Sequence, residues 1–72
     1  MTLTVEFDRE ADGRWIAEIS ELSGVMVYGT SREDALARVQ ALALHTLADR
    51  IEHGEADPQS LLSVSFSTSE AA

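Results

Sequence analysis

The sequence predicts one α+β domain with element order β-β-β-α-β: a four-stranded mixed sheet, strand order 3-2-1-4, with one helix laid across one face. Three observations lead there. Short runs alternate apolar and polar residues, the period-two pattern of half-buried strands. A long stretch rich in Ala and Leu, free of Gly and Pro, follows the third run. Compact polar segments punctuated by Gly separate the runs.

The first strand is read from Leu3, Val5 and Phe7, which alternate with Thr2, Thr4 and Glu6. Asp8 to Gly13 is polar and ends in Asp-Gly, a hairpin signal. The second strand spans Arg14 to Ile19, with Trp15, Ala17 and Ile19 on one face and Arg14, Ile16 and Glu18 on the other. After the loop Ser20 to Gly24, Val25 to Tyr28 forms a third strand closed by Gly29. Thr30 and Glu33 have capping-box spacing, so a helix is expected from Ser31 to about His53. Gly54 supplies its stop, and Pro58 follows. Leu62, Val64 and Phe66 alternate with serines as a fourth strand, and residues 68–72 read as a frayed tail.

Three short-linked strands make an antiparallel meander. The helix then crosses over, so the fourth strand lies parallel to the first. The predicted helix-facing surface holds Leu3, Val5, Phe7, Trp15, Ala17, Ile19, Leu62, Val64 and Phe66. The far face is rich in Thr, Ser and Glu, as a sheet solvated on one side requires.

At 72 residues the chain buries only about 60% of the surface its unfolded form exposes, a marginal core. No cysteine is present to cross-link it. A homo-oligomer, dimer or tetramer, is therefore expected. The 13 acidic and 5 basic residues leave a formal charge of −8, which disfavours direct nucleic-acid binding and favours a basic protein partner. No run approaches the ~20 apolar residues that span a bilayer, and the start lacks signal-peptide character, so a cytoplasmic protein without membrane association is expected.

The helix carries two apolar stripes. Ala35, Leu36, Val39, Leu42 and Ala43 suit the sheet; Leu44, Leu47, Ala48 and Ile51 lie on a second stripe, rotated from the first. A helix of about 23 residues is roughly 34 Å long and overhangs strands of about 20 Å. The second stripe is the candidate oligomer interface, with packing on residues 55–61 of the same chain or on a different protein as alternatives. Ile16, Met26 and Tyr28 form a smaller patch on the outer sheet face.

Catalytic readings find little support. His45, Asp49 and His53 recur every four residues, but no fourth ligand accompanies them. Glu6 and Asp8 with Glu33 or Asp34 would be a sparse set for a metal-dependent nuclease. No nucleophile elbow and no phosphate-cradling glycine loop occurs. No catalytic residue, cofactor or metal is assigned, and a binding role is expected.

Three segments together resemble a known family. They are Asp12-Gly13-Arg14-Trp15-Ile16-Ala17-Glu18-Ile19, then Glu21-Leu22-Ser23-Gly24-Val25, then Tyr28-Gly29-Thr30-Ser31-Arg32-Glu33-Asp34-Ala35. With the helix end His53-Gly54-Glu55, they are similar to the HicB-like antitoxins in order and spacing. Ser20 and Ser23 stand where that family usually has prolines, and no DNA-binding domain follows the fourth strand, so operator binding is not carried over. The resemblance implies a partial RNase H-like fold without its catalytic set. It also implies neutralisation of a small basic HicA-like toxin, an mRNA endonuclease, by covering its active site. Glu6, Asp8, Glu10, Asp12 and Glu18 are the candidate electrostatic contacts, with Trp15 as a candidate anchor. A free-standing oligomeric interaction module is the alternative.

Overall fold

The structure, a computed structural model, describes residues 1–70. Strands β1 (Thr2–Arg9), β2 (Trp15–Ile19) and β3 (Met26–Gly29) precede helix α1 (Arg32–Glu52). A 3-10 turn at Pro58–Leu61 leads into β4 (Ser65–Glu70). The sheet order is β3-β2-β1-β4, with β1 antiparallel to β2, β2 antiparallel to β3, and β4 parallel to β1. This is the predicted topology.

Period-two alternation places Leu3, Val5, Phe7, Ala17 and Ile19 in the core, where they meet Ala35, Val39, Ala43 and Leu47 of the helix. The helix lies chiefly over β3 and β2. Its approach is closest at Gly29. A Cβ built there would stand 2.5 Å from the Ala35 amide nitrogen and 2.8 Å from its Cβ. Only glycine lets strand and helix meet at that point.

Each helix end is capped locally. Ser31, not Thr30, is the N-cap: its hydroxyl accepts from the Asp34 amide at 3.0 Å. The Asp34 carboxylate in turn accepts from the Thr30 amide at 2.9 Å. The expected pairing of Thr30 with Glu33 is thus replaced by Ser31 and Asp34 at the same three-residue spacing, with the carboxylate reaching the amide one residue before the cap rather than that of the cap itself. At the other end Gly54 takes φ +70°. Its N–H reaches the Ile51 carbonyl at 3.1 Å, and the Glu55 N–H reaches that of Arg50 at 2.7 Å, a Schellman closure.

Two expectations about the C-terminal segment need correction. Leu62 is not on the core face but 79% exposed, and the strand begins only at Ser65. Asp57 accepts from the Gln59 amide at 3.0 Å, and Pro58 opens the turn, so this segment coils before it extends. Residues 68–70 are not a frayed tail: Thr68, Ser69 and Glu70 pair with Val5, Glu6 and Phe7. Residues 71–72 of that predicted tail lie outside the described residues.

Among the described residues no helix is long and apolar enough to cross a membrane.

Candidate functional site

The outer sheet face is where side chains are presented without cover from the helix. Strand alternation sends Glu6 and Asp8 of β1, Ile16 and Glu18 of β2, and Met26 and Tyr28 of β3 to that side. Register then aligns them in two rows. Glu6 sits opposite Glu18, which sits opposite Met26; Asp8 sits opposite Ile16, which sits opposite Tyr28. Residues 6, 7, 8, 16, 18 and 26 line a shallow depression of about 320 Å³.

Two carboxylates directly opposite on neighbouring strands repel, at a cost of up to about 1 kcal/mol. No ion pair among the described residues includes Glu6, Asp8 or Glu18. Asp8 only accepts from the next residue's amide, at 2.8 Å. Four of the chain's five arginines are engaged with other groups. Arg14 binds Asp12 at 2.8 Å and lies 4.6 Å over the Tyr28 ring. Arg38 binds Asp34 at 3.0 Å. Arg9 lies over Trp15 and Arg32 over Phe7. The acidic rows, flanked by half-exposed Met26 and Tyr28, therefore form an amphipathic and anionic surface.

The remaining candidate contacts scatter around this face. Glu10 and Asp12 belong to the β1–β2 hairpin loop, where the Glu10 amide donates to the Arg14 carbonyl at 2.8 Å. The Asp12 carboxyl is held below its ordinary range by the Arg14 amide and guanidinium it accepts from. Trp15 is on the opposite side of the sheet from Glu6 and Glu18. It packs edge-on against Phe7 at 6.3 Å and joins the core margin.

Leu47, expected on the exposed helix stripe, is buried at 5% exposure. Residues 35, 39, 43 and 47 step by four, and each step turns about 40° past a full circle. The buried stripe therefore winds around the helix far enough to take in Leu47. Leu44, Ala48 and Ile51 remain exposed, Leu44 at 52% and Ile51 at 43%.

Sequence reasoning missed Glu21. Strand β2 ends at Ile19, leaving the Thr4 amide of β1 without a strand partner. The Glu21 carboxylate fills that place, accepting from Thr4 N at 3.1 and 3.2 Å. These bonds hold its carboxyl below the ordinary range. A Glu two residues past a strand end is the only sequence signal, and it is a weak one.

The candidate metal residues do not gather. Among the described residues no group of three His, Asp or Glu side chains is placed to hold an ion. His53 Nδ1 lies 2.7 Å from the Asp49 carbonyl, which makes it part of the helix end. Asp34 is occupied by Thr30 and Arg38, away from Glu6 and Asp8. A second depression, of about 220 Å³, lies between Arg14, Tyr28, Thr30 and Arg38, but both arginines are neutralised by aspartates.

No family model, curated protein or solved structure matches the chain.

Proposed function

We propose that the protein is a cytoplasmic HicB-like antitoxin of partial RNase H-like type. It acts as a non-catalytic cover for a small basic HicA-like mRNA endonuclease. The observation that carries this reading is the outer sheet face, where Glu6, Asp8 and Glu18 stand without cationic partners beside Ile16, Met26 and Tyr28. A surface that tolerates repulsion between facing carboxylates is suited to a basic partner, whose charges relieve that repulsion on docking. The motif order from Asp12 to Ala35, similar to HicB-like antitoxins, supports the same partner class. Trp15 is not part of this face, so apolar anchoring falls to Met26 and Tyr28. A homo-oligomer completes the proposal, since the core of one chain is small.

The test is co-expression with the product of the adjacent gene, expected to be a small basic protein. The pair is expected to co-purify, and the acidic chain to relieve the partner's toxicity. Glu6→Gln with Glu18→Gln should weaken the complex about tenfold, mainly by slowing association, and flatten its salt dependence. The same substitutions should leave the free chain at least as stable as before, because they remove a repulsion. A complex unaffected by both substitutions, or no complex at all, refutes the reading.

A further inference from the structure

The sheet has two edges, and they differ. Strand β3 is four residues long and runs directly into the helix at the Gly29–Ala35 contact. Strand β4 is six residues long and has a neighbour on one side only. Its alternation of bonding follows from one contact: the Ser65 amide donates to the Met1 carbonyl at 2.9 Å. In a parallel ladder alternate residues bond to the same side. Ser65, Ser67 and Ser69 therefore turn their backbone groups to β1, and Phe66 and Thr68 turn theirs outward. Nothing among the described residues pairs with that outward row.

Natural edges are commonly blunted by charge, proline or a bulge. This one carries none of them from residue 65 to 69. Moreover, residues 58–69 form the longest uncharged run in a chain of net charge −8. Beside the strand, Phe66 and Val64 are only half-buried and Leu62 is 79% exposed, because the helix covers the β3–β2 half of the sheet. A basic partner finds nothing here to recognise. A second copy of the chain does: two anionic bodies can approach only where charge is least, and an antiparallel edge is complementary to itself.

We infer that the β4 edge is a homodimer interface, in which β4 pairs antiparallel with β4 of a second copy about a two-fold axis at Ser67, making one continuous eight-stranded sheet. In this register Phe66 and Thr68 of one chain exchange backbone hydrogen bonds with Thr68 and Phe66 of the other. Ser67 faces its own copy in a non-hydrogen-bonded pair, and Ser65 faces Ser69. Every cross-strand pair from Ser65 to Ser69 is uncharged. The two Phe66 rings lie diagonal to each other on the helix side, each with its own chain's half-buried Val64 two residues further from the axis, opposite position 70 of the other copy. The ladder alone buries less than the 1,200–2,000 Å² typical of stable interfaces, so this apolar margin is a necessary part of the contact. The acidic outer face stays open on both copies, so the dimer does not depend on the proposed toxin.

The chain has no cysteine, which allows a direct positional test. Ser67→Cys places two thiols across the two-fold axis in the close type of pair, within disulfide reach. Under mild oxidation it should run as a covalent dimer of twice 7.8 kDa, whereas Ser23→Cys in the β2–β3 loop should not. Light scattering should give the same doubled mass for the unmodified chain at about 100 µM. Ser67→Asp, which sets two carboxylates face to face at the axis, should return the mass to 7.8 kDa with an unchanged far-UV spectrum. Thr68→Pro, which removes an outward amide without touching the β1 ladder, should do the same. A monomeric unmodified chain overturns the inference. So does equal cross-linking of Ser67→Cys and Ser23→Cys, or a dimer that survives Ser67→Asp but dissociates on Leu44→Asp.

Discussion

Gly29→Ala tests the packing on which the fold depends. The new methyl carbon would meet the Ala35 nitrogen at 2.5 Å, its Cα at 2.7 Å and its Cβ at 2.8 Å. Carbon atoms in contact prefer about 3.5–4.0 Å, so helix and strand must part by roughly 1 Å. The atoms struck belong to the first turn of α1, which is pinned by Ser31 and Asp34, and no flexible side chain can yield. Parting them also loosens Ala35 and Val39, both fully buried. Overpacking of this kind costs about 1–3 kcal/mol, and the backbone location places it near the upper end. At 0.05–0.15 kcal/mol per residue the whole domain holds only about 4–11 kcal/mol. A loss near 3 kcal/mol should lower Tm by about 12–24 °C, read by far-UV circular dichroism. Gly54→Ala is the comparison. It has φ +70° but open space, so only the left-handed backbone penalty of about 1 kcal/mol applies. The reasoning fails if Gly29→Ala shifts Tm by less than Gly54→Ala does.

Two further substitution and pH experiments address the helix stripe and the carboxylates. Leu47→Ala should cost about 2–5 kcal/mol in urea unfolding, as a buried leucine does, while Leu44→Ala stays within about 0.5 kcal/mol. Equal effects would contradict the winding of the buried stripe. Asp12, Glu21 and Asp34 all have carboxyls held below the ordinary range, so their ionised forms favour the folded state. That contribution is complete above the unfolded pKa near 4 and disappears as pH falls through the lowered folded values. Acid unfolding of Glu21→Gln should therefore show a shallower loss of stability below about pH 4; an unchanged slope would mean that the Thr4 contact carries no linkage.

Much of the fold was legible because strand and helix periods are properties of the chain itself. Leu3, Val5 and Phe7 alternate, and Arg32–Glu52 contains neither Gly nor Pro, so element type and order follow without knowledge of the partners. Even the outer face could be read, since alternation sends Glu6, Glu18 and Ile16 to one side. Leu62 could not be placed this way. It continues the alternation of Val64 and Phe66, yet Asp57 and Pro58 form a local turn whose hydrogen bonds outweigh the strand pattern. Trp15 follows the period faithfully, so alternation already set it on the face away from Glu6 and Glu18, at odds with its candidacy as an anchor beside them.

By itself the sequence determined the charge of the surface, the identity of the elements and the two faces of each strand. Only the tertiary structure decided that Glu6 stands opposite Glu18, that Leu47 belongs to the core, that Glu21 completes β1, and that β4 is left with an open edge, uncharged from Ser65 to Ser69. The reason is physical. Periodicity is set by covalent geometry within a few residues, whereas register, helix rotation and edge exposure are set by how distant segments share the same space.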